Sequence, residues 1–151
     1  MATRDAPFGA YNFLVDLSDG TDNSQTIGGF SDVSGLGTEM TMMEYRNGNE
    51  KNNRVRKVPG LHKAADATFK RGIVGSKSFW EWIKATRTSS ATQRNLTVTL
   101  LDEQRNPVMV WRLLNARPMK WSGPTLAAKS SSDVAMEELV VASEGFEFGS
   151  Q

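Results

Sequence analysis

The segment from Pro107 to Leu126, PVMVWRLLNARPMKWSGPTL, constrains the fold more than any other part of the chain. It joins an apolar strand pattern to a corner marked by proline and then to a second extended piece. It contains no Asp, Glu, His or Cys. Because those residue types carry most acid–base, nucleophilic and metal chemistry, we expect this segment to be architectural.

Length and composition favour one globular domain. The 151 residues are a usual domain size, so we take 1–151 as a single domain with one core. No run approaches the roughly 20 apolar residues of a membrane-spanning helix, and the N-terminal residues lack the apolar run of a signal peptide. We therefore expect no membrane insertion and folding in the cytoplasm. The absence of cysteine excludes disulfides and Cys-based sites.

Alternating apolar and polar residues predict strands. The clearest candidates are Ala10–Leu17 and Ala64–Lys70, each with period two, whereas the last strand candidate, Val134–Ala142, carries apolar residues on both faces. A further pair, Leu96–Leu101 and Val108–Leu114, is separated by a polar turn and predicts a hairpin. The chain is therefore predicted to be rich in β-structure.

Other extended segments are interrupted. Thr26–Val33 predicts a short strand with two glycines in it, and Leu36–Arg46 carries apolar residues on both faces. Pro59-Gly60 is expected to close the polar segment before it, and Pro118, Gly123 and Pro124 are expected to break the chain into short extended pieces.

One segment has helical periodicity. Ser76–Arg87 predicts a helix of about three turns, capped by Ser76 or Ser78, with Phe79, Trp80 and Ile83 on its packing face and Trp82 as a further candidate. Short strands with one helix predict a mainly β protein, an antiparallel β-sandwich or barrel with one packed α-helix.

The residues do not assemble a catalytic or metal motif. His62 is the only histidine, so a histidine-based zinc site cannot be built. The acidic neighbours Asp102-Glu103 and Glu137-Glu138 point to opposite faces of an extended chain, and we expect these carboxylates to be solvated. We predict no enzyme activity, no cofactor and no metal; a small-molecule hydrolase would need a convergent site.

The polar segment Asn47–Arg56 predicts an exposed hairpin tip. Cations lie on and beside it, which leaves open a monomeric β-barrel that binds nucleic acid through this basic hairpin. Glu44, Glu50 and Asp66 are interspersed, and few aromatic residues are present for base stacking. The charge mixing favours a solvated or subunit-facing hairpin. The cations are Lys51, Arg54, Arg56, Lys57 and Lys63.

A set of short motifs, in order along nearly the whole chain, resembles the inner-tube protein family of contractile phage tails and contractile injection systems. The same motifs are similar to those of the hexameric tube protein of type VI secretion. They are FLVDL at Phe13–Leu17, FSDVSGL at Phe30–Leu36, EYRNG at Glu44–Gly48, VRKVPG at Val55–Gly60, KRGI at Lys70–Ile73, FWEW at Phe79–Trp82, LLDEQRNPVMVW at Leu100–Trp111, NARPMKWSGP at Asn115–Pro124 and VAMEEL at Val134–Leu139.

The resemblance implies a structural subunit of an inner tube. Six copies would join strand edges into a ring, and rings would stack into a tube whose lumen carries cargo, either effector protein or DNA. The implied partners are a sheath protein, a baseplate and tube-terminating proteins. Assembly would take place in the bacterial cytoplasm, in a phage tail or a tail-like particle that is released. The stacking contact would use Glu44, Tyr45, Arg46, Arg54, Arg56 and Lys57.

Two segments depart from the family pattern. AADATFKRG at Ala64–Gly72 is less apolar than the family pattern, and SSSDVA at Ser130–Ala135 replaces an Asn-Glu pair. Both are expected at subunit contacts, so they bear on ring packing.

Overall fold

The computed structural model of the chain describes residues 4–18, 24–26, 29–75, 77–88, 93–129 and 133–149. The elements alternate with short turns in a strand-rich order, with one helix among the described residues. They are β1 Phe13–Ser18, β2 Ser24–Thr26, β3 Asp32–Ser34, β4 Thr38–Tyr45, β5 Arg56–Ala64, β6 Ala67–Gly72, α1 Ser78–Arg87, β7 Arg94–Leu101, β8 Pro107–Ser122, β9 Met136–Ala142 and β10 Gly145–Gly149.

All described strand pairs are antiparallel, and most belong to one folded sheet in the order β2-β1-β7-β8-β9-β6-β3. The 16-residue strand β8 takes part in both halves of this sheet. Its first part pairs with β7 and β10, and its last part, from Arg117 to Ser122, pairs with β9. The prediction of a mainly β, antiparallel fold with one packed helix is confirmed.

The corner between the two halves lies at Asn115, which has a left-handed backbone with φ 52°. Asn tolerates this conformation better than most residues. Its backbone N–H donates to Asn95 Oδ1 at 3.1 Å, and its side-chain Nδ2 donates to Glu144 Oε2 at 3.0 Å. A register shift between Pro118 and Lys120 follows. The expected break at Pro118 is therefore wrong, because a bulge accommodates the missing donor and the strand continues to Ser122.

Both halves of the sheet and the helix enclose one core. Its buried members come from β1, β7 and β8 on one side and from β6 and β9 on the other, with two side chains from α1. They are Val15, Ala67, Phe69, Phe79, Trp82, Leu96, Val98, Leu113, Ala116, Leu139 and Val141.

Helix α1 begins at Ser78 and ends at Arg87. Phe79 is buried and Ile83 is half-buried, in agreement with the predicted packing face. Trp82 is buried, whereas Trp80 is 40% exposed and packs edge-on against Trp121 with ring centroids 5.5 Å apart. The core therefore takes Trp82 in place of Trp80. At the N-cap position, Lys77 makes no side-chain capping bond, and Ser76 lies outside the described residues.

A buried ion pair ties the helix to the sheet. Arg71 of β6 and Glu137 of β9 face each other as cross-strand partners, and their side chains are 2% and 8% exposed. Arg71 Nε donates to the Glu137 carboxylate, Arg71 Nη2 donates to Ser78 Oγ at 3.1 Å, and the Arg71 guanidinium lies 4.0 Å from the Phe79 ring centroid. Trp121 Nε1 donates to the second Glu137 oxygen at 3.2 Å. The expectation that Glu137 is solvated is therefore wrong.

Several boundaries differ from the sequence-based expectation. Pro59-Gly60 does not end a segment but lies inside β5, and the predicted strand Thr26–Val33 is divided between β2 and β3, with residues 27 and 28 outside the described part. The last strand, β10, was not expected. Phe146 and Phe148 flank Glu147 in this strand, and this alternation in the sequence could have predicted it.

Candidate functional site

The β4–β5 hairpin, residues 38–64, stands apart from the folded sheet as a separate two-stranded sheet. It continues the β3–β6 ladder, since Ala65 N–H donates to Gly37 O at 3.0 Å just beyond the Thr38–Ala64 pair. Every residue of β4 is exposed, and β5 is exposed except at Gly60 and Ala64. The hairpin therefore reaches away from the core on a continuous pair of strands.

Gly35 makes the change of direction between the two ladders possible. Its φ is +80°, and a Cβ at this position would lie 2.2 Å from the carbonyl oxygen of Asp66. A residue with a side chain would meet both the conformational penalty and the clash. Farther along, a register shift between Met40 and Met42 places two residues of β5 opposite Thr41, and a Cβ on Gly60 would lie 2.9 Å from Thr41 O.

Both faces of the hairpin carry apolar side chains in water. Met40 and Met42 share one face with His62 and Pro59, whereas Met43 and Tyr45 share the other with Val58 and Arg56. The three methionines are 49–53% exposed, Tyr45 is 56% exposed, and Leu61 on the bulge is 86% exposed. A two-stranded hairpin is marginally stable by itself. Exposed Met, Tyr and Leu side chains on such a hairpin are typical of a surface that contacts another protein.

Arg46 organises the tip of the hairpin. Its guanidinium donates to the carbonyl oxygens of Glu50 and Asn52 at 3.0 and 3.2 Å and to Asn53 Oδ1 at 3.3 Å. Tyr45 Oη donates to Asn47 Oδ1 at the base of the same loop. The polar turn predicted for this segment is confirmed, and the side chain of Arg46 holds the loop conformation.

Two of the four cations predicted for the contact form ion pairs with carboxylates on the same hairpin. Lys57 Nζ pairs with Glu44, and Arg56 Nη2 lies 3.3 Å from Glu50 Oε1. Arg54 lines an open depression of about 510 Å³ at the tip, together with Glu50, Lys51 and Arg56. Three carboxylates therefore lie among the six Lys and Arg residues of the hairpin, and two of these cations are paired within the subunit.

In the described part of the chain, no group of three or more His, Cys, Asp or Glu that could hold a metal is found. Glu103 accepts two hydrogen bonds from Arg4 at 3.0 Å, and this contact holds the pKa of Glu103 below its ordinary value. A carboxyl with a lowered pKa is a poor proton donor at neutral pH. Across the described ranges, no helix has the length and apolar character needed to cross a membrane.

Comparison with protein families identifies the chain. Residues 9–147 match the family model described as T4-like virus tail tube protein gp19. The match covers nearly the whole sequence, so the chain belongs to this tail tube family. This confirms the resemblance found from the motifs. Among curated proteins, none matches the sequence.

Solved structures with the same fold include chains from contractile injection systems. A chain from the anti-feeding prophage tube-terminating cap is 23% identical with a TM-score of 0.84, over 100% of this chain and 96% of its own length. A chain from an extended PVC sheath–tube complex, an extracellular contractile injection system, is 23% identical with a TM-score of 0.83, over 97% and 94%. The E. coli Hcp1 protein of pathovar EAEC 042 is 13% identical with a TM-score of 0.56, over 94% and 93%.

Proposed function

We propose that this tail tube protein assembles into rings of six, that the rings stack into a tube, and that the β4–β5 hairpin forms contacts between subunits. As a tail tube protein it is a component of a phage tail or of a tail-like particle. The assembly proposal is supported by the apolar side chains that are exposed on both faces of the hairpin.

The two exposed faces favour contacts with two neighbours. A hairpin with one apolar face could lie flat on a single partner. Here Met40 and Met42 point to one side and Met43 and Tyr45 to the other, so one partner would leave half of the apolar side chains in water. Insertion of the hairpin between two subunits buries both faces.

Strand edges provide a route to ring closure. In the described part of the chain, β3 ends the sheet order and β10 pairs with β8 alone. A free edge is a template for pairing with another chain, and closed cyclic symmetry removes that edge without producing fibres in the plane of the ring. Stacking along the axis is open, so other proteins have to end the tube.

The charged residues of the hairpin would set the register between subunits. Glu44, Arg56 and Lys57 can exchange their present partners for groups on a neighbour at little cost, because exposed ion pairs contribute only about 0–1 kcal/mol each. Arg54 and Tyr45 are exposed at the tip and the base of the loop. Arg46 acts within the subunit by holding the tip.

The partners follow from the family. Structures with this fold come from a PVC sheath–tube complex, an anti-feeding prophage baseplate and a tube-terminating cap. We infer that the tube of this protein contacts a sheath, a baseplate and a terminator, that it carries effector protein or DNA in its lumen, and that its role is structural, without catalysis. Assembly takes place in the bacterial cytoplasm before the particle is released.

Purified protein tests the assembly directly. Light scattering after size-exclusion chromatography and negative-stain microscopy should show six-subunit rings and stacked tubes. The double variant Met42→Glu/Met43→Glu places a charge on each face of the hairpin and should remain folded but unassembled. Gln104→Glu, in the exposed β7–β8 turn, is the control and should assemble normally. A wild-type protein that stays monomeric at high concentration, alone and with its sheath and baseplate proteins, contradicts the proposal.

A further inference from the structure

Strand β4 carries a cluster of methionines whose side chains are exposed to solvent. Among the residues that the structure describes, the exposed methionines are Met40, Met42, Met43 and Met119, at 49%, 51%, 53% and 54%. The first three lie within four consecutive positions of β4. Met109 and Met136 are half-buried in β8 and β9. Within the described ranges, the exposed thioethers are therefore largely on the hairpin.

We propose that Met40, Met42 and Met43 form an oxidative modification site, at which peroxide converts the free subunit into a form that cannot join the tube. This inference rests on the proposed function of the hairpin as a subunit contact. The co-reactant is hydrogen peroxide or another hydroperoxide. The thioether sulfur attacks one peroxide oxygen, the O–O bond breaks and an S=O bond forms; water leaves when the oxidant is hydrogen peroxide, and an alcohol leaves when it is an organic hydroperoxide. Sulfur loses two electrons and the peroxide gains them.

The geometry explains why this change would block assembly. A sulfoxide turns a flexible apolar side chain into a polar one with a strong acceptor oxygen. Met40 and Met42 would place that oxygen on one face and Met43 on the other, so both contacts are affected. Pro59 and Val58, which face Met42 and Met43, offer no side-chain donor, whereas His62, which faces Met40, carries an imidazole N–H. Each buried sulfoxide without a donor should raise the concentration needed for assembly by roughly tenfold.

Assembly would bury the methionine side chains of the hairpin. Once the hairpin is covered on both faces, the same thioethers are removed from solvent, so tubes should resist an oxidant that inactivates free subunits. The timing of peroxide exposure relative to assembly would then decide how many subunits remain competent. Methionine sulfoxide reductases of both stereospecificities restore the thioether, and competence should return with it.

The experiment treats free subunits and preformed tubes with hydrogen peroxide, maps sulfoxides by peptide mass spectrometry, and measures assembly by pelleting and microscopy. Oxidised subunits should lose assembly and regain it after reductase treatment. In tubes, oxidation of Met40, Met42 and Met43 should be at least about tenfold slower than in subunits.

Two variants separate the hairpin from the rest of the chain. Met40→Leu/Met42→Leu/Met43→Leu keeps the side-chain volume and should assemble after peroxide treatment, whereas Met119→Leu should remain as sensitive as the wild type. If the triple variant fails to assemble, the test uses the wild type, in which reductase treatment should remove the sulfoxides and restore assembly. Tubes formed from subunits with sulfoxide at all three positions, or equal oxidation in subunits and tubes, overturn the inference and leave the proposed function standing. Untreated subunits that form no tubes, both alone and with the sheath and baseplate proteins, overturn both.

Discussion

Replacing Glu137 by Gln should destabilise the subunit far more than the same change at its neighbour Glu138. Glu137 accepts hydrogen bonds from Arg71 and Trp121 on its two oxygens. A Gln amide has one oxygen, so its NH₂ group would face one of these two donors. The substitution also removes the negative charge that pairs with the guanidinium of Arg71, which is 2% exposed.

The expected loss follows from breaking a buried pair. Removal of one partner of a buried ion pair costs about 3–5 kcal/mol, because the remaining charge stays in an apolar environment. In a protein of this size each kcal/mol lowers the Tm by roughly 2–4 °C. Glu137→Gln should therefore lower the Tm by roughly 6–20 °C.

The adjacent pair supplies a matched control on the same two strands. Lys70 and Glu138 are cross-strand partners next to Arg71 and Glu137, but their side chains are 47% and 37% exposed and their charged atoms are 3.9 Å apart. Glu138→Gln should cost less than about 1 kcal/mol. Urea unfolding of unassembled subunits, followed by tryptophan fluorescence, measures both variants.

Two results would refute this reasoning. The first is a loss at Glu137 of less than about 1 kcal/mol, or one equal to that at Glu138, since burial would then not control the cost. The second comes from the double variant Arg71→Met/Glu137→Leu, which removes both charges and should recover most of the lost stability. If the double variant is no more stable than Glu137→Gln, the uncompensated charge is not the cause.

The remaining predictions concern the hairpin. Replacing Arg54, Arg56 and Lys57 together with Glu should leave the fold intact and block stacking. If these side chains only face water, the stability change should be below about 0.5 kcal/mol and assembly should be unaltered. Tubes of normal length by microscopy would therefore favour a solvated hairpin. Amide hydrogens from Glu44 to Pro59 should exchange rapidly in isolated subunits and slowly in tubes, because the polar loop buries little apolar surface until it is covered; equal, fast exchange in both forms contradicts this. Gly35→Ala should destabilise the subunit by more than about 1 kcal/mol and impair assembly. Gly37→Ala, where a Cβ meets nothing within 4 Å, is the control and should lower the thermal stability less. Comparable losses for the two variants would show that the backbone conformation at Gly35 is not required.

Much of the fold was predictable from local patterns. The alternation in Ala67–Gly72 predicts a strand that buries one face, and the apolar residues of Met136–Ala142 predict a further strand. Period two is a property of neighbouring residues. The helix followed from 3.6-residue periodicity, although that periodicity did not distinguish Trp80 from Trp82. Trp82 is buried in the core and Trp80 packs against Trp121, so their burial depends on residues of other elements.

The exposed hairpin and the buried charges required the tertiary structure. Apolar residues on both faces of β4 indicated that both faces are covered, but only the fold shows that the subunit itself covers neither. Likewise, the sequence places Glu137 and Glu138 on opposite faces without saying which face is inside, since that depends on pairing with Arg71, 66 positions earlier. Local sequence determines which side chains share a face, because the backbone repeat is local. Which face meets the core and which meets another subunit depends on contacts between residues that are distant in the chain.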